Sequence, residues 1–374
     1  MTHDTSISNG LEGVVAASTR LSHVDGEAGE LLIAGYPVGE LAAHATFEET
    51  TWLLWHGDLP SRRELDAFRA ELAAHRSLPP ATMAILRDCA RARVDAMDAL
   101  RIALGTVSLV STEATAIVAI APTIVATFSR LVAGSEPIPP RADLGHAANY
   151  LYMLTGAVPD TERVRGLETY LNTVVDHGLN ASTFTCRVIT STGSDLVSAV
   201  VGAVGALKGP LHGGAPGPAL ETVFEIGDAS RAESVLRAKI ESGERLMGFG
   251  HRVYKVRDPR ADVLAIAAER LFTRAGDMRL YSLAREVEAT ALRLLEEYKP
   301  GRRLQTNVEF YTALLLHGLG LDVPLFTPTF AIARVSGWIA HAIEQREANR
   351  LIRPKSVYVG PRDRHWRTED IAAD

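Results

Sequence analysis

The sequence has few cysteines and no excess of positive charge. Only Cys89 and Cys186 are present in 374 residues, and both lie in apolar or helical-looking stretches. Two such cysteines do not make a disulfide framework, so we expect reduced thiols in a cytoplasmic protein. The formal net charge is −6, which excludes a general nucleic-acid or anionic-membrane binder because such proteins need a basic surface. Any anionic ligand must therefore be held by a local cluster of basic residues.

Long apolar runs, linkers and repeats are also missing. The most apolar stretches, residues 115–126 and 196–207, are shorter than the roughly 18 continuous apolar residues of a membrane span. Residues 1–10 are polar and lack the apolar run of a signal peptide. No Pro/Gly/Ser-rich linker separates the two halves, and no repeat of fixed period indicates a solenoid. We therefore expect two domains in close contact.

The common nucleotide, hydrolase and zinc signatures are absent as well. No Gly-x-Gly-x-x-Gly fingerprint follows a strand, and neither a Walker loop nor a Gly-x-Ser-x-Gly elbow occurs. The three histidines considered below do not stand at the close helical spacing of a metal motif. These absences argue against a nicotinamide-dependent dehydrogenase, a nucleotide hydrolase and a metal site.

Helical periodicity dominates what is present. From Phe47 onward, apolar residues recur at three- and four-residue spacing, as in residues 51–55 and 64–72. Breaks that supply proline, glycine or a capping residue separate these windows; they lie at residues 78–80, 134–137, 192–195, 209–210 and 217–218. The pattern predicts an all-α protein of roughly fifteen helices.

Two features stand out from this regular pattern. The windows 195–207 and 330–343 are apolar on most faces, which predicts helices buried in the core or at a subunit interface. Before Phe47, the short apolar runs 10–16 and 29–36 are bounded by glycine and aspartate, which is typical of small β hairpins.

Three histidines lie where the backbone can approach a ligand. His177, His212 and His251 each stand beside glycine or a helix break. A single histidine of this kind is more often a capping or core residue, but the three together favour a functional site. Around His212, glycines on both sides sacrifice conformational entropy that packing alone rarely requires.

Basic residues cluster around His251 in an otherwise acidic chain. The cluster comprises Arg245, Arg252, Lys255, Arg257 and Arg260. Such a cluster suits phosphates or carboxylates, although a solvated basic face balanced by Glu241 and Glu244 is the alternative. Farther along, Arg334 lies in an apolar helical window and needs an anionic partner or an open cavity. Arg353, before a proline, is a further candidate.

These motifs resemble the citrate synthase family, in particular the short bacterial and archaeal type that includes 2-methylcitrate synthases. The resemblance covers nearly the whole chain, with the matching blocks in family order. The blocks are residues 10–14, 25–31, 53–60, 177 with 180–183, 209–215, 248–255, 307–311 and 337–341 leading to 353–354. It implies an all-α citrate synthase fold with a short β hairpin region at the N-terminus. A large helical domain, residues 1–214 and 326–374, would be interrupted by a small helical domain, residues 215–325, that closes over the substrate.

The resemblance also implies the catalytic residues. His212 matches the histidine that hydrogen-bonds the thioester oxygen of acetyl-CoA and stabilises its enol. His251 matches the histidine that donates to the carbonyl of oxaloacetate. Glu309 stands where the family usually has the aspartate base. Its extra methylene moves the carboxylate by about 1.5 Å, and misplacement of about 1 Å can cost about 10²-fold in rate. A working synthase with a longer base and a weakened paralogue are both open.

The remaining contacts follow from the same resemblance. The residues implied to hold the dicarboxylate are His177, Arg260, Arg334, Arg353 and, as an N-terminal contact, Arg62. Arg353 would reach across a homodimer. The residues implied to lie along CoA are Arg245, Leu246, Met247, Gly248, Phe249 and Lys255. No permanently bound cofactor is expected, because acetyl-CoA is a co-substrate.

The implied activity is that of an acyltransferase: citrate synthesis from acetyl-CoA, oxaloacetate and water. Two alternatives stay open. One is 2-methylcitrate synthesis from propionyl-CoA, since a single methylene is worth only about 1–3 kcal/mol of discrimination in an apolar pocket. The other is a non-catalytic paralogue that binds the ligands but has lost turnover through Glu309.

Overall fold

Helices account for nearly all of the regular structure, which confirms the predicted all-α class. The computed structural model describes residues 9–109, 113–213 and 216–364. In these ranges the helices are α1 Val38–His44, α2 Phe47–His56, α3 Arg62–Ala74, α4 Pro80–Arg91, α5 Ala96–Leu104, α6 Ala114–Val132, α7 His146–Thr155, α8 Thr161–Val174, α9 Ala181–Ser191, α10 Leu196–Leu207, α11 Pro216–Ile226, α12 Ala232–Glu241, α13 Pro259–Ala275, α14 Arg279–Tyr298, α15 Val308–Gly318 and α16 Phe326–Glu347.

Side-chain caps determine where many of these helices begin. The first backbone N–H groups of a helix have no partner inside it, so a capping oxygen stabilises the start. Thr46 and Ser61 form reciprocal capping boxes with Glu49 and Glu64 at the starts of α2 and α3. Single caps begin further helices: Asp160 for α8, Asn180 for α9, Asp195 for α10, Asp258 for α13 and Asn307 for α15.

The N-terminal hairpin exists, but one of its strands differs from the prediction. The sheet has the order β1-β2-β3, with β1 at Ser22–Asp25, β2 at Glu30–Ile33 and β3 at Tyr36–Pro37, all antiparallel. The run 29–36 supplies β2 and the start of β3 as expected. The run 10–16 forms no strand, because Gly10, Leu11 and Gly13 take left-handed φ angles of 65°, 58° and 76°, which an extended strand cannot accommodate.

The helix α16 runs through the core, as the apolar window 330–343 predicts. Its side chains from Ala331 to Ala342 are buried, including Trp338 at 0% exposure. It packs against α2, α6, α8, α9 and α10. On one side the indole Nε1 of Trp55 donates to the Ser336 carbonyl oxygen (3.1 Å). The helix therefore connects the packing of helices that are distant in sequence.

The helix α6 includes the apolar stretch 115–126 and is longer than that stretch. Among the described helices it alone is long and apolar enough, by length and composition, to cross a membrane. Its most apolar window is 78% buried inside the molecule. It packs against α4, α5, α7 and α16, which is the environment of a core helix.

The division into two domains stays a prediction. Its boundary between residues 214 and 215 lies outside the described residues. Within the region between the boundaries, α12 packs on α14, and α11 and α13 pack on α15. The helix α13 also packs closely on α8 and α1, so this region has a broad contact with the rest of the protein.

A pair of helical glycines tests how tightly the core is packed. A Cβ at Gly337 would overlap the Val175 carbonyl oxygen, whereas a Cβ at Gly205 would meet only Arg101 Cδ, at 3.8 Å. We expect Gly337→Ala to lower the free energy of unfolding by roughly 1–3 kcal/mol through overpacking. Gly205→Ala should be neutral or stabilising by up to about 1 kcal/mol. Urea unfolding measures both, and equal stabilities would contradict the close approach of α16 to residue 175.

Candidate active site

One cavity brings together seven of the fourteen predicted site residues. Its volume is about 840 Å³. The predicted residues that line it are His177, His212, Arg245, His251, Arg260, Glu309 and Arg334. They come from widely separated parts of the sequence, so the fold alone accounts for their meeting.

The other predicted residues lie elsewhere. Arg62 is 83% exposed on α3, where it pairs with Asp66 at 3.1 Å. Arg353 is exposed in the segment after α16 and does not line the cavity of its own chain. Its predicted role across a homodimer stays a prediction. Met247 and Gly248 line neither this cavity nor the adjacent one described below.

The surroundings of His212 determine which of its nitrogens carries the proton. Its Nε2 lies 3.3 Å from the Ser182 backbone nitrogen and 2.8 Å from the Ser182 hydroxyl. A backbone N–H can only donate, so Nε2 must accept and the proton must be on Nδ1. Burial, with a contribution from the charge of Arg334, lowers the pKa of His212 to about 4. His212 is therefore a neutral Nδ1–H donor at the cavity wall.

Ser182 is held in place from two further directions. The indole Nε1 of Trp338 donates to its hydroxyl oxygen (3.2 Å). The same oxygen lies 2.8 Å from Asn180 Oδ1, so its single proton is shared between that oxygen and His212 Nε2. Asn180 is also the cap of α9, accepting from the Thr183 N–H (3.1 Å). The start of α9 thus fixes the orientation of the imidazole. Sequence reasoning missed the role of Ser182, although it lies in a block matched to the family.

His251 has the opposite tautomer. Its Nδ1 accepts from the backbone N–H groups of Val253 and Tyr254, both at 3.1 Å, so the proton must be on Nε2. Burial, and next the charge of Arg260, lowers the pKa of His251 to about 4. Nε2 lies 3.4 Å from Arg260 Nη2. Because both atoms are donors, together they suit a carbonyl or carboxylate oxygen from a ligand.

Arg260 is oriented by a buried aspartate. Asp258 accepts from its Nε (3.0 Å) and its Nη2 (2.8 Å). The same carboxylate accepts from the Val308 backbone N–H (3.2 Å), at the start of α15. Burial alone would raise the pKa of Asp258, but the Arg260 guanidinium outweighs it and the pKa lies below its usual value. Asp258 therefore ties Arg260 to the helix that carries Glu309.

Arg334 carries a donor that nothing in the described part of the chain satisfies. The side chain is 3% exposed, and its Nε donates to the Val174 carbonyl oxygen. Its Nη1 is buried without a hydrogen-bond partner. The guanidinium lies over the Phe330 ring, 4.7 Å from the centroid. Burial lowers its pKa to about 10, so it stays charged at neutral pH. A buried, unpaired charged donor is costly, which favours an anionic ligand beside it.

Glu309 lies in the first turn of α15. Its backbone N–H donates to the cap residue Asn307 (3.0 Å). Burial raises the pKa of Glu309 to about 7, although the charges of Arg260 and Arg245 act in the opposite direction. A carboxylate with a pKa near neutral pH is suited to accept a proton during a reaction.

A second, basic cavity of about 530 Å³ adjoins the first. Both cavities are lined by Arg245, Gly250, His251 and Arg252. The second also contains the predicted residues Leu246, Phe249 and Lys255, and two that sequence reasoning missed, Lys299 and Arg302. The basic turn at residues 299–303 could have indicated them. So many cations around one cavity favour a polyanionic ligand.

A separate group of possible metal ligands lies outside both cavities. In the described ranges, ligand atoms of Glu71, His75 and Glu113 lie within 4.8 Å of one another. None of the three lines either cavity, so the group is not part of this site.

Neutral imidazole donors, a near-neutral carboxylate and two arginines in an all-α protein define an enzyme that activates a carbonyl compound beside an anion site. Comparison with known proteins identifies the family. The sequence model described as "Citrate synthase, C-terminal domain" matches residues 10–355. The citrate synthase of Haloferax volcanii is 40% identical over 373 residues, covering 96% of this chain and 97% of that protein. The chain belongs to the citrate synthase family.

Two further relatives cover nearly the full length. The 2-methylcitrate synthase of Mycobacterium tuberculosis is 38% identical over 96% of this chain and 92% of that protein. The citrate synthase of Thermoplasma acidophilum, solved as a ternary complex with carboxymethyl coenzyme A and oxaloacetate, has a TM-score of 0.88 at 31% identity. That comparison covers 96% of this chain and 98% of the other. The citrate synthase fold predicted from the sequence is thereby confirmed.

The two imidazoles provide a direct test of this geometry. We expect ¹⁵N NMR of histidine-labelled protein to find both rings neutral at pH 7, with the proton on Nδ1 of His212 and on Nε2 of His251. Protonation should begin only as the pH approaches the pKa of about 4 that burial imposes on each. His212→Asn and His251→Asn assign the signals. A cationic ring at pH 7, or the same tautomer in both, would contradict the hydrogen bonds described here.

Proposed function

We propose that this protein condenses acetyl-CoA with oxaloacetate and water to give citrate and CoA. It is then an acyltransferase that converts the acyl group into an alkyl group on transfer. One observation carries the proposal: the Nδ1–H donor of His212, the Nε2–H donor of His251 and the near-neutral carboxylate of Glu309 line the same cavity.

In the first step, Glu309 removes a proton from the methyl group of acetyl-CoA. The negative charge that develops on the thioester oxygen is stabilised by the Nδ1–H of His212, in the manner of an oxyanion hole. The bonds from Ser182 to Nε2 fix the ring. The donor is therefore oriented before the reaction, and no reorganisation is needed.

In the second step, the carbon of this enolate attacks the keto carbon of oxaloacetate. His251 Nε2–H and Arg260 Nη2, which are 3.4 Å apart, polarise that carbonyl and take up its charge. Arg334, with its unpaired Nη1, holds a carboxylate of oxaloacetate. His177, which lines the same cavity, provides a further contact to the dicarboxylate. Water then hydrolyses the thioester and releases CoA.

The basic cavity holds the phosphates of CoA. It adjoins the reaction cavity at Arg245 and His251, so an extended ligand can reach from one into the other. Arg252, Lys255, Lys299 and Arg302 supply the positive charge. No resident cofactor enters this scheme.

The proposal includes a cytoplasmic homodimer. Leu351, Val357, Tyr358 and Val359 are exposed by 54–89% in the segment that follows α16. Such apolar exposure along one extended segment supports docking on a second copy, with Arg353 entering the second copy's cavity. The free, buried cysteines Cys89 and Cys186 suit a reducing compartment. The region 215–325 would close over the bound substrates as the smaller domain.

The second candidate reaction is 2-methylcitrate synthesis from propionyl-CoA. The observation that favours it is the similarity to the 2-methylcitrate synthase of Mycobacterium tuberculosis. The two reactions share every step and differ by one methyl group on the acyl chain. The placement and raised pKa of Glu309 support a working base and count against a paralogue without turnover.

The release of free thiol from acetyl-CoA tests the proposal. We expect release that requires oxaloacetate, with propionyl-CoA run in parallel to establish the preferred acyl group. Glu309→Gln should lower kcat by about 10²–10⁴-fold and leave the Kd of oxaloacetate unchanged, because the base contacts the acetyl group. Glu286→Gln, on the exposed face of α14, is the matched control. Bound oxaloacetate without thiol release would defeat the enzyme proposal, and unaltered kcat in Glu309→Gln would exclude this base.

The pH dependence of the reaction follows from the pKa of Glu309. Only the ionised carboxylate can accept a proton, and burial raises its pKa to about 7. We therefore expect kcat/KM to rise with pH through about 7 and to level off above it. His212 and His251, whose pKa values are about 4, stay neutral across this range and add no step. A profile that is flat between pH 5.5 and pH 8 would contradict a Glu309 base with a raised pKa.

A further inference from the structure

The first strand of the N-terminal hairpin begins at Ser22, which contacts the loop that carries His177. The Ser22 hydroxyl donates to Asp176 Oδ2 (2.5 Å) and accepts from the Gly178 backbone N–H (2.8 Å). His177 lies between these two residues, so one hydroxyl fixes the chain on both sides of the imidazole. The other oxygen of Asp176, Oδ1, lies 3.0 Å from His341 Nε2, which holds the carboxylate from the core side.

The turn of the same hairpin lies against the loop that carries His251. The Gly26 carbonyl oxygen accepts from the Lys255 backbone N–H (2.9 Å). A Cβ at Gly26 would overlap the Val253 carbonyl, and a Cβ at Gly29 would lie 2.7 Å from Val256 Cγ2. The backbone at Gly26 comes this close because glycine has no side chain.

The turn is itself stiffened by its first residue. Asp25 Oδ1 accepts from the backbone N–H groups of Glu27 and Ala28, both at 2.9 Å. This Asx-type arrangement reduces the freedom of the turn. The carbonyl of Gly26 is therefore presented to the His251 loop by a defined backbone.

The two loops also meet at the cavity. Val253 and Tyr254 orient His251 through their backbone N–H groups, and the Tyr254 hydroxyl lies 3.1 Å from His177 Nε2. The rings of His177 and His251 are 5.6 Å apart. The hairpin, the His251 loop and the His177 loop thus each contact the other two.

We infer that this hairpin is a strut that sets the spacing of the His177 and His251 loops, with Ser22 and Gly26 as positioning residues for the proposed reaction. Packing alone does not explain the contacts, because the buried Leu31 and Ile33 of β2 anchor the hairpin to the core. Neither the Ser22 hydroxyl nor the Gly26 carbonyl is needed for that anchoring. Both are polar groups directed at the loops of the two histidines.

Kinetics of three variants test the inference, which rests on the proposed function for the identity of the substrate. Gly26→Ala forces the Val253 backbone to move by about 1 Å, so kcat/KM for oxaloacetate should fall about 10²-fold. Ser22→Ala removes one hydroxyl and should cost about tenfold, and Ser22→Thr should recover most of the loss. The control is Gly39→Ala in α1, where a Cβ would make an ordinary contact of 3.5 Å with Val263 Cγ2. It should match the wild type.

Hydrogen exchange measured without substrate separates this inference from the proposed function. Ser22→Ala contacts the His177 loop and should speed exchange at residues 253–255 as well as at 176–178. Gly26→Ala contacts the His251 loop and should speed exchange at residues 176–178 as well as at 253–255. A merely structural role would lower the melting temperature and change exchange only at the loop that each variant contacts. The inference fails if each variant alters only the loop it touches, or if kcat/KM stays within twofold of the wild type.

The experiment still decides the question in two further cases. If the wild type releases no thiol, the proposed function fails, and the exchange patterns still decide whether the hairpin couples the loops. If Gly26→Ala does not fold, Ser22→Ala and Ser22→Thr decide the question by themselves. Ser22→Thr without recovery of the exchange pattern would overturn the role of the hydroxyl.

Discussion

The burial of charged and titratable side chains in the wall of one cavity is the constraint on which the rest of the site depends. Burial lowers the pKa of His212 and His251 to about 4 and raises that of Glu309 to about 7. Both shifts follow from the cost of a charge in a poorly solvated place. The same desolvation therefore keeps the imidazoles as neutral donors and brings the carboxylate into the range of a general base. Burial also lowers the pKa of Arg334, but a pKa of about 10 leaves this side chain charged at neutral pH.

Three helix starts converge on this cavity. The caps Asn180, Asp258 and Asn307 are followed within two residues by Ser182, Arg260 and Glu309. Helix N-termini favour negative charge, which suits an anionic substrate and would by itself lower the pKa of Glu309. Its raised pKa means that desolvation outweighs both the helix and the nearby arginines. The caps thus define the helices and also place residues of the candidate site.

Local sequence determined much of the architecture. The three- and four-residue spacing of apolar side chains predicted the helices, and an all-round apolar window identified α16 as a core helix. The glycine-flanked histidines and the basic cluster indicated an anion site, and the ordered family blocks indicated its chemistry. Glu309 in place of the usual aspartate was also visible at this level. The predicted helices and family are confirmed because periodicity, capping and residue type are properties of short segments, whereas the roles of the site residues stay predictions.

Only the tertiary structure decided the properties that arise between distant segments. The opposite tautomers of His212 and His251 depend on which backbone N–H groups meet their nitrogens. The run 10–16 looked like a strand until its left-handed φ angles excluded one. The family resemblance implied that Arg62 contacts the substrate, yet Arg62 lies outside the cavity. By itself the sequence determined the helices and the family, and it predicted the residues of the candidate site. Their protonation, orientation and spacing were decided by the fold, because burial and hydrogen-bond partners exist only once remote segments have packed together.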